Sequence, residues 1–409
     1  MDGSGFVGAS HALAPTSDFV GLEGLIHFAA GGETPFLRRH ERTYQRYAEL
    51  KASGKRGLGQ IMADADVARE RVAQLLRAKV DEVGFSYNVS QACNMVATVV
   101  ANGRPGNVVM QRWEYPSMMY PWLRLRDSGW EVRLLANADN LIDYEQLAGL
   151  VDSGTAAIVV SHVSYLTGER VDLARLRAMA DSVGALLVVD ASHSLGVVQA
   201  DWGLADFVFC CCYKWLLGTH GVSIAYRNQQ RLPAWIPQEV GWANVEWQDA
   251  ADRGGALTPV HTGRMFELGI SGLLPAAILG SALDYLSKIP LSNVETHVLN
   301  LSEHLLTGLE SCGIEVMTPA AASQRAGNVA FAVDDQDAWR ERLEEANVLC
   351  WTSDNRVRLS TFIYNDDEDV AHALSAVQST FADLGQRRSS TTTSHSVTSS
   401  RSSPIGNTE

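Results

Sequence analysis

Lysine is scarce in this chain. Lys51, Lys55, Lys79, Lys214 and Lys288 are the only ones among 409 residues. No Lys/Arg-rich run occurs and the net charge is -14, so nucleic acid and anionic membrane are poor partners. No apolar stretch approaches the length that crosses a bilayer. The N-terminal MDGSGFVGAS has neither a basic n-region nor an apolar h-region. A soluble, cytoplasmic protein is the expectation. The six cysteines (Cys93, Cys210, Cys211, Cys212, Cys312, Cys350) include no C-x-x-C pair. Neighbouring cysteines on a strand point to opposite faces, so Cys210–Cys212 cannot converge on one metal, and no metal site is expected. Small buried thiols in a reducing compartment are the plainer reading.

What is present is a globular composition: 46% hydrophobic and 20% charged residues over a length that suits a large domain with a smaller one. Residues 1–20 are Gly/Ala/Ser-rich and read as a flexible N-terminal segment. Continuous apolar runs at 107–110, 131–135, 156–160, 185–190 and 206–211 predict short strands covered on both faces by helices. A further strand at 221–226 reads as one arm of a hairpin. Between them, 64–80 places Val67, Val72, Leu75, Leu76 and Val80 on one helical face, and 172–183 does the same with Leu173, Leu176 and Met179. This alternation is that of an α/β doubly wound sheet.

Beyond about residue 270 the pattern changes. Long helices are predicted at 273–286 and 291–312, strands at 327–333 and 357–363, and a last helix at 366–384. That helix is acidic in its first turn, with an apolar stripe of Val370, Leu374, Val377, Phe381 and Leu384. The reading is a large domain over 21–270, a smaller α+β domain over 271–385, and a disordered tail over 386–409. The tail is Ser/Thr-rich, at 13 of 24 residues.

Lys214 alone among the lysines sits in an apolar segment. Asp190 ends the buried run VVDASH, with His193 three residues on. Ligands bind outside the carboxyl ends of strands in an open α/β sheet, so Asp190 and Lys214 can face one crevice. A partly desolvated lysine becomes a nucleophilic amine suited to an imine with a carbonyl cofactor. An Asp facing a pyridine nitrogen keeps that ring protonated and able to accept electrons. By spacing alone, the Asp as a helix N-cap and the Lys as a surface residue remain open.

The stretch VVDASHSLGVVQADWGLADFVFCCCYKWLLGTHGVSIAY resembles the core of class V, fold-type I pyridoxal-phosphate enzymes, and the resemblance runs from about residue 22 to 384. This group includes cysteine desulfurases, selenocysteine lyases, kynureninases, aminotransferases and isopenicillin N epimerase-like proteins. It implies a large domain with a mainly parallel seven-stranded sheet, a smaller C-terminal α+β domain, pyridoxal 5'-phosphate as cofactor, an amino-acid substrate and a homodimer. It assigns the Schiff-base lysine to Lys214, the pyridine-nitrogen partner to Asp190 and the ring-hydroxyl contact to His193. The turn FSYNVSQACNMV would cradle the phosphate through Ser90 and Gln91, whose backbone N–H groups open a helix. Ser90 also reads as a simple N-cap.

The same resemblance gives Tyr213 a phosphate contact and places Cys211 where relatives carry a serine near the phosphate. In EYPSMMYPW, Tyr115 takes the ring-stacking place that desulfurases give to histidine. Tyr165 of SHVSYLTG stands where desulfurases have asparagine. VRLSTFIYN resembles the small-domain signature whose arginine clamps the substrate carboxylate, which is Arg358, with Arg356 its competitor by spacing. In GRMFELGISG, Ile270 replaces a threonine that reaches the neighbouring subunit's phosphate, and Ser271 is the candidate substitute. Cys350, eight residues before Arg358, reads as structural rather than as a persulfide nucleophile. The expected activity is removal of the α-proton by Lys214, with an aminotransferase-like outcome first. A C–S or other β-lyase, or a decarboxylating variant, comes next. A non-enzymatic scaffold is the remaining alternative.

Overall fold

A computed structural model describes residues 10–249, 253–270 and 272–395. In chain order the elements are β1 (Ile26–His27), α1 (His40–Ala52), α2 (Gly54–Leu76), β2 (Val83–Ser86), α3 (Val89–Ala101), β3 (Asn107–Gln111) and α4 (Pro116–Leu123). Then come β4 (Glu131–Leu135), α5 (Tyr144–Leu150), β5 (Thr155–Ser161), α6 (Leu173–Val183), β6 (Leu186–Asp190), β7 (Phe207–Cys211) and β8 (Ser223–Arg227). The C-terminal part adds α7 (Leu273–Leu286), α8 (Leu291–Ser311), β9 (Asn328–Ala332), α9 (Gln336–Glu345), β10 (Val348–Leu349), β11 (Trp351–Ser353), β12 (Arg356–Ser360) and α10 (Asp367–His395).

Seven strands form the main sheet in the order β2-β8-β7-β6-β5-β3-β4. The five from β7 to β4 are parallel, and β8 runs antiparallel between β7 and β2. All the predicted strands of this sheet are present, including the β7–β8 hairpin. The edge strand β2 is the addition, too short at four residues and too close to a helix start to stand out by period. Apolar clusters fill both faces of the sheet, as continuous strand hydrophobicity demands. A buried ion pair ties the edge: Arg69 of α2 donates to Glu267 at 2.6 Å, and Glu267 also accepts from the Phe85 N–H at 3.1 Å. No helix among the described residues is long and apolar enough to cross a membrane.

The second block is a three-stranded antiparallel sheet, β11-β12-β9, packed on α8, α9 and α10. Three expectations are corrected here. Phe19 is fully buried, and the Leu13 and Ala14 N–H groups donate to the Ile363 carbonyl at 2.7 and 2.9 Å. Residues 10–20 are therefore pinned to the C-terminal block, while 1–9 lie outside the described residues. The chain from Ile26 to Ala29 likewise pairs with β10 and Ser360, so the small unit draws on both ends of the sequence. Helix α10 carries helical backbone to His395, past the point where a structureless tail was expected, and 396–409 lie outside the described residues.

Two predicted apolar stripes are also shorter than read. Val67 is exposed in mid-helix, on the side of α2 opposite the buried Ala65, Val72 and Leu76. Val80 is exposed because α2 ends at Leu76 in a left-handed Arg77 (φ 54°) and the chain turns before it. Phe381 is exposed on α10, although Val377 before it and Leu384 after it pack on the small-domain core.

Candidate active site

The strand ends of the parallel sheet build the site. Ser161 ends β5, Asp190 ends β6 in register with it, and Cys211 ends β7 opposite Ser223. Each is the last residue of a buried strand, so its side chain stands at the carboxyl edge where the packed layers open. Together with Asp190, His193, Tyr213 and Lys214 these residues line a cavity of about 380 Å³. An adjoining cavity is lined by His193, Lys214, Tyr115, Tyr165 and Arg358.

Lys214 is buried, with its Nζ 3.0 Å from His193 Nε2. Its backbone is clamped: Thr34 Oγ1 donates to the carbonyls of Lys214 (2.8 Å) and Tyr213 (3.0 Å). The turn closes through Leu217, left-handed at φ 54°, whose N–H donates to Lys214 O. A leucine held at positive φ marks a strained turn that the surrounding contacts enforce. Asp190 is buried; burial raises its carboxyl above the ordinary range, against the Ser192 N–H donated at 2.8 Å and the Lys214 charge. His193 is pushed well below the usual imidazole range by burial and by the charges of Lys214, Arg358 and Arg356, so its ring is neutral.

Tyr115 caps α4, half-exposed, with its ring 5.4 Å from Lys214 Nζ and edge-on to Tyr165 at 5.1 Å. The preceding residue explains how Tyr115 is held. Glu114 is buried and accepts from Ser161 N–H at 2.8 Å and Ser161 Oγ–H at 2.6 Å. Burial lifts its carboxyl to about 7 despite those bonds. Arg358 enters from β12 and lines the second cavity, whereas Arg356, fully buried, lies against the Tyr165 ring at 5.3 Å.

Most of the sequence-predicted site residues come together: Lys214, Asp190, His193, Tyr115, Tyr165, Cys211, Tyr213 and Arg358 all line one of the two cavities. Ser90 and Gln91 do not. The first turn of α3 faces the cavity through Asn88 and Val89 instead. The Gln91 N–H is taken by the Asn88 cap at 2.9 Å, and the Gln91 side chain turns back to Tyr87 N–H at 2.9 Å. Ser90 Oγ donates to Ser117, which does line the cavity, at 2.8 Å. The capping preference of Asn was the sequence signal that Asn88, not Ser90, starts this helix. Ser271 lies outside the described residues, and Ile270 is exposed, its carbonyl accepting from Tyr87 OH at 3.0 Å.

The three cysteines divide as alternation requires: Cys210 and Cys212 face one apolar cluster, and Cys211 faces the other and the cavity. Reading the sequence alone missed Glu114, Ser161, His220, Thr34 and Asn328. Of these, only the Glu preceding the aromatic had a local signal.

A buried amine, a buried carboxylate and a helix N-terminus meet in one cavity. They match the aldehyde, pyridine nitrogen and phosphate of pyridoxal phosphate, and about 380 Å³ is of the size that small cofactors occupy. The comparisons agree. The chain is 31% identical to a probable cysteine desulfurase of Methanothermobacter thermautotrophicus over 61% of its own length and 62% of that protein. It is 26% identical to the uncharacterised aminotransferase YcbU of Bacillus subtilis, over 76% of this chain and 82% of that one. Among solved structures, the cystine C–S lyase C-DES shares its fold at a TM-score of 0.79 and 22% identity, over 88% of this chain and 99% of that one. The aminotransferase class-V family model matches residues 34–372. The chain belongs to the aminotransferase class-V family of pyridoxal-phosphate-dependent enzymes.

Proposed function

We propose that this enzyme acts on an α-amino acid by moving its Cα proton with Lys214, and that transamination is the outcome. The observation that carries the reading is the placement of Lys214 Nζ, 3.0 Å from His193 and in one cavity with Asp190, beside a second cavity bearing Arg358. Bound there, pyridoxal phosphate supplies an electron sink for the pair left at Cα. Asp190 would hold the proton of a pyridine nitrogen, His193 would meet the ring hydroxyl, and the α3 N-terminus with Tyr213 and Cys211 would hold the phosphate. Arg358 would bind the substrate carboxylate, and Lys214 would take the proton from Cα and deliver it to the cofactor carbon instead of back to Cα, which makes the outcome transamination.

A second reading, β-elimination with C–S cleavage, is favoured by the desulfurase names of relatives together with the state of Cys350. A persulfide relay requires a thiolate. Burial pushes the Cys350 thiol up to about 12, so a sulfur-releasing reaction here runs without it. Cytoplasmic location and a homodimer complete the reading. Exposed Tyr87, which lines the cavity, and Ile270 beside it support the dimer.

The test is the visible spectrum of the purified chain with pyridoxal phosphate beside Lys214→Ala, followed by a screen of amino acids. Keto acid with pyridoxamine phosphate supports transamination; keto acid with ammonia and thiol supports elimination. Absence of any absorbance band in wild type would overturn both.

A further inference from the structure

Arg358 and Trp351 are cross-strand neighbours. Their Cα atoms pair in the β11–β12 register, so both side chains leave the same face of the small sheet, and both line the second cavity. Consecutive glycines receive them. Arg358 Nη2 lies 3.0 Å from the point where a Gly31 Cβ would stand, and the six-membered ring of the Trp351 indole fills the place of a Gly32 Cβ. Any side chain at Gly32 would displace that ring. The turn presenting these glycines is itself fixed, because the Gly32 and Glu33 N–H groups donate to the Ala29 carbonyl at 2.8 and 2.9 Å. The indole is thus held in place, yet Trp351 is 41% exposed. Nothing in the proton transfer at Lys214 uses it.

We propose that Trp351 is a specificity-determining residue and that the amino acid accepted here carries a flat aromatic side chain. This rests on the reading of Arg358 as the substrate-carboxylate site. A carboxylate held by Arg358 brings the rest of the same molecule beside the indole, because the two side chains are neighbours on one face. Tyr115 and Tyr165, edge-on to each other at 5.1 Å, line the same cavity of about 380 Å³. A small side chain, as in alanine or cysteine, leaves the indole in water. An aromatic ring covers it and gains a ring–ring contact as well. The charged groups of the cavity point the same way. Glu33 Oε2 stands 3.3 Å from His220 Nε2, while Asp354 accepts from Ser353 Oγ at 2.9 Å and lies 3.8 Å from Arg356. Both carboxylates are engaged, so a cationic side chain finds no free counter-charge, and an acidic one meets two groups of its own sign.

The experiment separates binding from turnover. Hydrocinnamate, propanoate and the cation γ-butyrobetaine carry the carboxylate of an amino acid without a primary amine, so none can form a Schiff base. Each is titrated into the full chain by isothermal titration calorimetry, with and without pyridoxal phosphate. Hydrocinnamate is expected to bind at least about tenfold more tightly than propanoate. In Trp351→Ala that ratio falls by about tenfold, and in Trp351→Phe most of it is kept. Equal affinity for hydrocinnamate and propanoate, tighter binding of γ-butyrobetaine than of hydrocinnamate, or a ratio unchanged in Trp351→Ala would overturn the proposal. The wild-type comparison decides even where a variant does not fold. In the loaded enzyme, kcat/KM for phenylalanine exceeds that for alanine and for cysteine. The reverse order overturns this inference and leaves the amino-acid reading standing. The expected binding preference without turnover of any amino acid overturns that reading and not this one.

Discussion

Arg356 and Arg358 share one acceptor. Both guanidinium groups donate to the backbone carbonyl of Tyr165, each at 2.8 Å, from the same face of β12. They stand two residues apart, so local spacing could not rank them. Only Arg358 lines the cavity; Arg356 is sealed behind the Tyr165 ring, with Asp354 3.8 Å away. Burial, and then the Arg356 charge, push Arg358 well below the usual guanidinium range. A carboxylate bound beside Arg358 would offset the cost of that burial by pairing with its charge.

Arg358→Lys is expected to raise KM and lower kcat/KM by about 10- to 100-fold. A charge-assisted, bidentate contact is worth roughly 1.5–3 kcal/mol and an ammonium cannot reproduce its fork. Arg356→Lys is expected to act on thermal stability more than on KM. Steady-state kinetics beside a melting curve separates the two, and a larger KM effect at Arg356 would reverse the assignment.

Lys214→Ala is expected to abolish covalent cofactor attachment and lower turnover by at least about 10²-fold, the lower range for loss of a positioned acid–base group. Borohydride reduction followed by mass spectrometry reads attachment directly. A retained adduct at another lysine would show the site to be elsewhere.

Glu114 makes stability depend on pH. Its folded pKa, about 7, lies above the ordinary 4.5. The folded state therefore binds the proton more tightly, and the stabilisation is complete below about 4.5 and lost as pH rises through 7. The loss is on the order of 3 kcal/mol. Glu114→Gln keeps an acceptor for Ser161 N–H and removes the titration. Urea unfolding at pH 5 and pH 8 is expected to show a smaller pH difference in the variant; equal differences would place the effect elsewhere.

The adjacent cysteines are expected to respond in opposite ways to serine. Cys212 is fully buried in an apolar cluster, so Cys212→Ser costs about 1–3 kcal/mol for an unsatisfied hydroxyl. Cys211 faces the polar cavity, and its thiol already has the Ser192 and Tyr213 side chains as hydrogen-bond partners, so Cys211→Ser is nearly neutral. Chemical denaturation of the two variants is the measurement.

Cys350→Ala is expected to retain turnover with every accepted amino acid, sulfur-containing ones included. Loss of activity confined to sulfur substrates would restore a persulfide role for this thiol.

The sequence by itself determined the α/β alternation, the strand-end Asp190, the one lysine in an apolar segment and the motif around Arg358. These are local signals: continuous apolar runs, helical periods and residues at strand ends, each written within a few neighbours. It could not determine where side chains meet across the fold. Val67 and Phe381 are apolar yet exposed, because the neighbouring elements cover a different side of each helix. Ser90 and Gln91 share a turn with Asn88, yet the cap geometry leaves only Asn88 and Val89 facing the cavity. The clamp of Thr34 on Lys214, the grip of Glu114 on Ser161 and the Ser360–Asn328–His193 chain join segments 180, 47 and 135 residues apart. Such contacts depend on strand order and on how the N-terminal segment returns to the small sheet. Periodicity carries no record of that, because the same local pattern is compatible with many packings and only burial of the shared core selects one.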